Sequence, residues 1–409
     1  MQKNNTHTQQ EVMMISKRAS TIEDSITMAI SATAKKMKKE GLDVLSFSAG
    51  EPDFHTPDHI KKAGIDAIHA GKLFYTPASG ILELKEAVCE KFKIDQNLDY
   101  DPGQIIISSG AKHSLYNIFQ AIIDPGDEVI IPSPYWVSYP AQVTLNDGIP
   151  VIIETSDASN FKITAHQLRS AINPKTKCLI LTSPSNPTGA VYTKQELIEI
   201  AKIAVENNIF IISDEIYEKL IYEGQHISIA QLGTEIKDQT IVVNGVSKAY
   251  SMTGWRIGYL AANHKIASAI NKIQSQTTSN PATPSQWASI QALKHGENDI
   301  KTMKSAFDTR RKLMVELLNN IDGISCIKPQ GAFYAFPNIS ACFGKTTSTG
   351  SKITSSFDFS KYLLEEKLVA VIPGSGFGSD NYIRLSYATS ESDIKKGLQR
   401  ITEFVTSLA

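Results

Sequence analysis

Thr240-Ile241-Val242-Val243, followed by Gly245-Val246-Ser247-Lys248-Ala249-Tyr250-Ser251-Met252-Thr253-Gly254-Trp255-Arg256-Ile257-Gly258, is the stretch on which the reading of this chain turns. The first run is apolar and β-branched, as in a strand buried on both faces. A lysine follows just past its end, with a hydroxyl beside it and an arginine eight positions on. That setting suits a Schiff base to an aldehyde cofactor that carries a phosphate. Lysine supplies the amine because its pKa shifts readily when buried, which arginine's does not. Ser247 and Arg256 would hold the phosphate, Arg256 through a planar, permanently charged fork. Pyridoxal 5'-phosphate is the cofactor of that description. A lone Ser-Lys pair reads more simply as a surface lysine on a loop; the flanking glycines, Arg256 and the distant stretches below favour the cofactor.

Outward from this stretch, short apolar runs alternate with helical patterns between residues 105 and 262. The runs are Ile105-Ile106-Ile107, Glu128-Val129-Ile130-Ile131, Pro150-Val151-Ile152-Ile153, Cys178-Leu179-Ile180-Leu181, Ile209-Phe210-Ile211-Ile212 and Ile241-Val242-Val243. Near-continuous runs of this length suit a parallel sheet covered on both faces. Thr193-x-x-Glu196 and Thr164-x-x-Gln167 are capping-box starts for two connecting helices. After about residue 298 the rhythm changes. A long amphipathic helix at about 300–320 precedes strands at 331–336 and 382–387. A Ser/Thr/Gly-rich segment, 344–356, reads as a mobile loop. Residues 22–40 read as a helix ending at Gly41, and residues 1–20 as a frayed start. The expected fold class is α/β: a three-layer α/β/α domain with a mostly parallel sheet (47–297), plus a smaller α+β domain (1–46 and 298–409).

Composition narrows the function. With 41 Lys+Arg against 42 Asp+Glu, the formal net charge is −1, which gives no general attraction to nucleic acid or an anionic membrane. Cys89, Cys178, Cys326 and Cys342 form no Cys-x-x-Cys pair, so neither a zinc site nor a disulfide framework is indicated. No run approaches the roughly 20 apolar residues needed to span a bilayer, and the N-terminus lacks a signal-like apolar stretch. The expectation is a soluble cytoplasmic protein. His55 and His59 are four apart, but Pro57 lies between them and no third ligand is evident, so no metal is expected.

A pyridoxal phosphate enzyme needs a carboxylate against the pyridine nitrogen. Asp214 ends the run Ile209-Phe210-Ile211-Ile212-Ser213, and strand carboxyl ends are where open α/β sheets bind ligands. Alone, Asp214 reads as a helix N-cap; its position one strand before Lys248 favours the ring partner. Tyr217 would then reach the ring oxygen, and Asn186, in Ser183-Pro184-Ser185-Asn186-Pro187-Thr188-Gly189, would donate its amide to the same atom. A cis Asn186–Pro187 bond suits that turn. Ser109, Gly110 and Ala111 open an apolar helix over 115–123, whose N-terminal amide groups make an anion site or an ordinary turn. Trp136 fits either the flat face of a heterocycle or a core. Arg384, in Tyr382-Ile383-Arg384-Leu385-Ser386-Tyr387, needs a partner in so apolar a strand; an amino acid's α-carboxylate or a structural carboxylate would serve.

These stretches resemble the class-I/II pyridoxal-phosphate-dependent aminotransferases of fold-type I, from about residue 46 to 387. The closest likeness is to the bacterial Ib aspartate aminotransferase branch, carried by Tyr135-Trp136-Val137-Ser138-Tyr139-Pro140, Ser213-Asp214-Glu215-Ile216-Tyr217-Glu218 and Ser386-Tyr387-Ala388-Thr389-Ser390. The resemblance implies phosphate binding by Ser109, Gly110 and Ala111, ring stacking by Trp136, and substrate α-carboxylate binding by Arg384 and Gly50. It implies that Tyr75 reaches the phosphate in the neighbouring subunit of a homodimer. Lys112 and Thr27 match positions that bind the side-chain carboxylate of a dicarboxylic substrate, although Glu23-Asp24-Ser25-Ile26-Thr27 lacks the branch's usual proline. The implied reaction moves an amino group between an L-amino acid, aspartate first, and 2-oxoglutarate, by a ping-pong route with Lys248 as proton carrier. Aromatic amino acids, kynurenine, alanine and prephenate stand as alternative substrates. A lyase on the same scaffold, or a cofactor-binding protein without turnover, stand as alternative functions.

Overall fold

In the computed structural model, which describes residues 15–22 and 26–409, the apolar runs pair into one seven-stranded sheet. Its strands are β1 (Ile105–Ser108), β2 (Glu128–Ser133), β3 (Ile149–Glu154), β4 (Thr176–Thr182), β5 (Phe210–Asp214), β6 (Thr240–Gly245) and β7 (Gly258–Ala261). Their order across the sheet is β1-β7-β6-β5-β4-β2-β3. The β6/β5, β5/β4, β4/β2 and β2/β3 pairs are parallel, and β7 runs against both of its neighbours. The helices that bear on the site are α1 (Ile26–Lys39), α2 (Leu82–Gln96), α3 (Ala111–Ile122), α4 (Ser138–Leu145), α5 (Lys194–Glu206), α6 (Glu297–Asn319) and α7 (Glu391–Thr406).

The strand runs are apolar at consecutive positions because both sheet faces are covered. Ile105 and Ile107 pack with Leu84, Val88 and Phe92 of α2, whereas Ile106 packs on the opposite face with Leu115, Ile118 and Phe119 of α3. Ile211 and Ile212 likewise enter different cores, the former with Leu197 and Ile200 of α5. Alternate residues of a strand point to opposite faces, so a run of three fills two cores at once. Each such side chain stabilises the fold by roughly 1.5–3 kcal/mol. The two capping boxes form as expected: Thr193 with Glu196 opens α5, and Thr164 with Gln167 opens the helix Ala165–Ala171.

A separate core joins Met303, Phe307 and Met314 of α6 to Ile394, Leu398 and Ile401 of α7. It lies under an antiparallel sheet whose central strand, Ile383–Ser386, carries Arg384 between Ile372–Pro373 and Tyr334–Ala335. Leu45–Ser46 pairs in parallel with Val369–Ala370, which ties the N-terminal part to this C-terminal layer. Among the described residues, no helix is long and apolar enough to cross a membrane.

Several local expectations are corrected. The strand Gly258–Ala261 is absent from the sequence reading, because it is four residues long and follows directly on the lysine loop. It makes β1 the partner of an antiparallel strand rather than of a parallel one. β3 is an edge strand, so Ile152 is 40% exposed instead of buried. Segment 344–356 is anchored: Ile353 is fully buried, and Ser348 and Thr349 donate to Glu366 at 2.7 and 2.9 Å. Helix α1 begins at Ile26, and the only helix before it among the described residues is the single turn Lys17–Ser20. The expectations for residues 1–14 and 23–25 fall outside the described residues.

Candidate active site

The carboxyl ends of β4, β5 and β6 open into one cavity of ≈ 270 Å³, closed on its far side by Tyr334 and Arg384 of the small sheet. Its lining holds four cations, Lys112, Lys248, Arg256 and Arg384, and one carboxylate, Asp214. Among the described residues none of these cations forms a salt bridge. Gly50, Ala111, Trp136, Asn186, Tyr217, Ser247 and Thr27 also line it. Ser109, Gly110 and Tyr75 do not.

Arg384 is the most constrained of the cations. It is 2% exposed, and its Nη1 and Nη2 donate to Asn186 Oδ1 and Ser48 O, both at 3.0 Å. Among the described residues its Nε has no partner, and the guanidinium lies over the rings of Tyr334 and Phe377. Burial pushes its pKa down. A buried cation with only neutral partners is costly, by several kcal/mol, until an anion meets it. Asn186 accepts from Arg384 through its oxygen, which leaves its NH₂ group to donate into the cavity. The Asn186–Pro187 bond is cis, as expected.

Lys248 follows β6, and its Nζ donates to Gly50 O at 2.6 Å. Burial brings its pKa down to about 8, assisted by Arg384 and Arg256 and opposed by Glu51 and Asp214. Asp214, the last residue of β5, accepts from Tyr139 Oη at 2.7 Å and from the Ile216 amide at 3.2 Å. Burial pushes its pKa up to about 6 against those two donors. Tyr217 Oη lies 2.9 Å from Tyr334 Oη. Lys112 Nζ sits 4.9 Å over the Trp136 ring, and the enclosing wall, then Arg256, hold its pKa below the ordinary value. Thr27 Oγ1 is buried without a hydrogen-bond partner.

The start of α3 and the turn before β7 are pressed together. Arg256 Nη1 donates to Thr253 O at 2.8 Å, and its Nη2 to Ser109 O at 3.4 Å. A Cβ on Gly110 would fall on the Arg256 guanidinium, and one on Gly258 would fall on the Ala111 amide. Ala111 at the start of α3, Arg256 and Ser247 all line the cavity, and helix-start amide groups beside a guanidinium are suited to hold an anion. The Ser109 amide is otherwise engaged, donating to His113 Nδ1 at 3.1 Å. Tyr75 is 91% exposed beside Phe74 at 84%, on a loop away from this cavity.

Tyr139, Thr182 and Tyr334 belong to the cavity but were not singled out by the sequence. Tyr139 stands inside a quoted stretch, and only the fold shows that its hydroxyl meets Thr182 and Asp214 at the ends of β4 and β5. Glu215, Glu218 and His226 also cluster behind Asp214. Their oxygens already accept from Gln96, Lys91, Ser213, Ser228 and His226. His59, one of the two histidines weighed as ligands, pairs with Asp299 at 2.9 Å.

The family model for aminotransferase class I and II matches residues 42–401. The aspartate aminotransferase of Bacillus sp. (strain YM-2) is 52% identical over 96% of this chain and 99% of its own. The structure of the Rhizobium meliloti aspartate aminotransferase superposes with a TM-score of 0.94 at 43% identity, covering 97% of this chain and 100% of that one. The Thermus thermophilus aspartate aminotransferase with maleate gives 0.90 at 40%, covering 95% and 99%. On its motifs, its fold and these likenesses, the chain belongs to the class I and II aminotransferase family.

Proposed function

We propose that this aminotransferase moves the amino group of L-aspartate to 2-oxoglutarate, with pyridoxal 5'-phosphate as cofactor. The observation that carries the reading is the cavity with four cations, none of them paired to a carboxylate among the described residues, facing Asp214. A phosphate and the two carboxylates of a dicarboxylic acid supply the missing negative charge. The orphaned Arg384 Nε and the cradle formed by Gly110, Gly258 and Arg256 support the fit. A relative crystallised with maleate, itself a dicarboxylate, supports the substrate class.

Bound there, the cofactor supplies an electron sink for the carbanion left when the substrate Cα loses its proton. Every other part of the chemistry belongs to the chain. Lys248 would hold the cofactor, and its free Nζ would carry the substrate's Cα proton. A pKa of about 8 keeps part of that amine neutral at physiological pH, and a positioned base of this kind contributes about 10²–10⁴-fold. Asp214 would pair with the ring nitrogen, while Tyr217 and Asn186 would hold the ring oxygen. Trp136 would cover the ring face. Ser247, Arg256, Gly110 and Ala111 bind the phosphate, with Ser109 contributing the carbonyl that braces Arg256. Arg384 and Gly50 would seat the α-carboxylate and so orient the substrate's Cα–H bond. Lys112 and Thr27 take the side-chain carboxylate.

The reading includes a homodimer in which Tyr75 completes the neighbouring subunit's phosphate site, supported by the exposure of Leu73, Phe74 and Tyr75. It assigns cofactor binding to a large α/β domain of residues 47–297, and places Arg384 and Thr27, which line the same cavity, in a smaller α+β domain of residues 1–46 and 298–409. A cytoplasmic setting agrees with four free cysteines. The test is an absorbance scan of the cofactor-loaded protein, first with aspartate and then with 2-oxoglutarate. A spectral shift with the first that reverses with the second is expected, with parallel lines in double-reciprocal plots. No shift with any amino donor overturns the reading.

A further inference from the structure

Asp214 has one strong side-chain donor, Tyr139, and that donor has its own supply. Tyr139 is 2% exposed, and its ring meets Trp136 edge-on at 5.4 Å. Its Oη lies 2.7 Å from Asp214 Oδ2 and 2.8 Å from Thr182 Oγ1. A phenol has one proton. The carboxylate offers no proton, so Tyr139 gives its own to Asp214, and Thr182 must then donate to Tyr139 Oη. Thr182 and Asp214 end adjacent strands and face each other in register, so the sheet itself fixes the spacing of this chain.

We propose that Thr182 and Tyr139 form a positioning relay that keeps Asp214 a carboxylate, so that the proton it shares with the cofactor's ring nitrogen rests on the nitrogen. The inference rests on the proposed pairing of Asp214 with that nitrogen. Neither residue touches the reacting atoms; both act through Asp214. The groups facing Asp214 are Tyr139 from α4, Thr182 at the end of β4, Glu215 and Tyr217 in its own loop, and Lys248 beyond β6. Burial and Glu215 both favour the neutral acid. Lys248 is cationic only in part and is engaged with Gly50. Without Tyr139 the carboxylate keeps one weaker donor, the Ile216 amide at 3.2 Å. Asp214 then becomes the more basic partner, takes the shared proton, and leaves the ring neutral and a poorer electron sink.

The test loads the native protein, Tyr139→Phe, Thr182→Val and Asp214→Asn with pyridoxal phosphate labelled with ¹⁵N in the ring, and reads the ring nitrogen by NMR. The native protein should give a protonated ring and Asp214→Asn a neutral one. Tyr139→Phe should shift toward neutral, Thr182→Val part of the way, and kcat should fall roughly 10–100-fold in Tyr139→Phe, as for a lost hydrogen bond to a charged group. A protonated ring in Asp214→Asn defeats the underlying pairing. A neutral ring in Asp214→Asn with native signals in Tyr139→Phe and Thr182→Val defeats the relay alone. A second readout needs no cofactor: ¹³C titration of the Asp214 carboxyl, assigned by its loss in Asp214→Asn, should give a higher pKa in Tyr139→Phe than in the native protein. Equal values overturn the proposal. Should Tyr139→Phe fail to fold, Thr182→Val decides by the same two measurements.

Discussion

Among the described residues no carboxylate meets Arg384, and the site's demand for a substrate anion is concentrated there. Arg384→Lys keeps the charge but loses the planar fork. We expect kcat/KM for aspartate to fall on the order of 10³-fold, as for a broken buried pair, with the melting temperature changed by a few degrees at most. An unchanged kcat/KM would separate Arg384 from the substrate. Lys248 makes a second prediction through its pKa of about 8. Only the neutral amine attacks an aldehyde. The rate at which cofactor-free protein captures pyridoxal phosphate, followed by stopped-flow absorbance, should rise about tenfold per pH unit in acid and level off above about pH 8. A flat profile across that range contradicts a half-titrated lysine. Lys248, Asp214 and Arg384 were legible because each places a charge where an apolar strand ends or passes. Tyr139 and Tyr334 were not, since a tyrosine in an apolar helix or strand looks like core until its hydroxyl partner is known.

At the scale of the element, the loop after β5 must hold Asp214 and Tyr217 together, and a buried polar cluster anchors it. Glu215 accepts from Ser213, Ser228, Gln96 and His226, and Glu218 pairs with Lys91. Burial works against the His226 cation, but Glu215 prevails and raises its pKa, while His226 and the hydroxyl donors lower that of Glu215 against burial. A raised histidine stabilises the fold while protonated, so its share is full below its ordinary 6.5 and fades as pH climbs through the raised value. The Glu215 share fades as pH falls below its ordinary 4.5. The stability gap between native protein and His226→Gln, measured in urea, should therefore be widest between those two pH values, at about 1–3 kcal/mol, and narrow in alkali. A gap that keeps widening as pH rises above 6.5 would contradict the ion pair. The strand runs and capping boxes were readable because periodicity and caps are local. β7 and the edge exposure of β3 were hidden, because pairing partners and sheet position are not local properties.

At the scale of the whole molecule, Leu73, Phe74 and Tyr75 are 57%, 84% and 91% exposed in sequence order, an apolar loop that the described residues leave uncovered. The proposed dimer covers it. Sedimentation should give twice the 44.8 kDa of the chain, and Phe74→Glu should shift the protein toward monomer with loss of transamination; a fully active monomer contradicts the shared site. The layered α/β architecture was legible from alternating runs, but which loops meet a second copy is not written in any one chain. The most direct test of the account uses the intact loaded protein. Borohydride should fix the cofactor to the peptide that carries Lys248, seen by mass spectrometry, and prior incubation with aspartate should prevent it. Label on any other lysine, or none at all, would contradict the site described here.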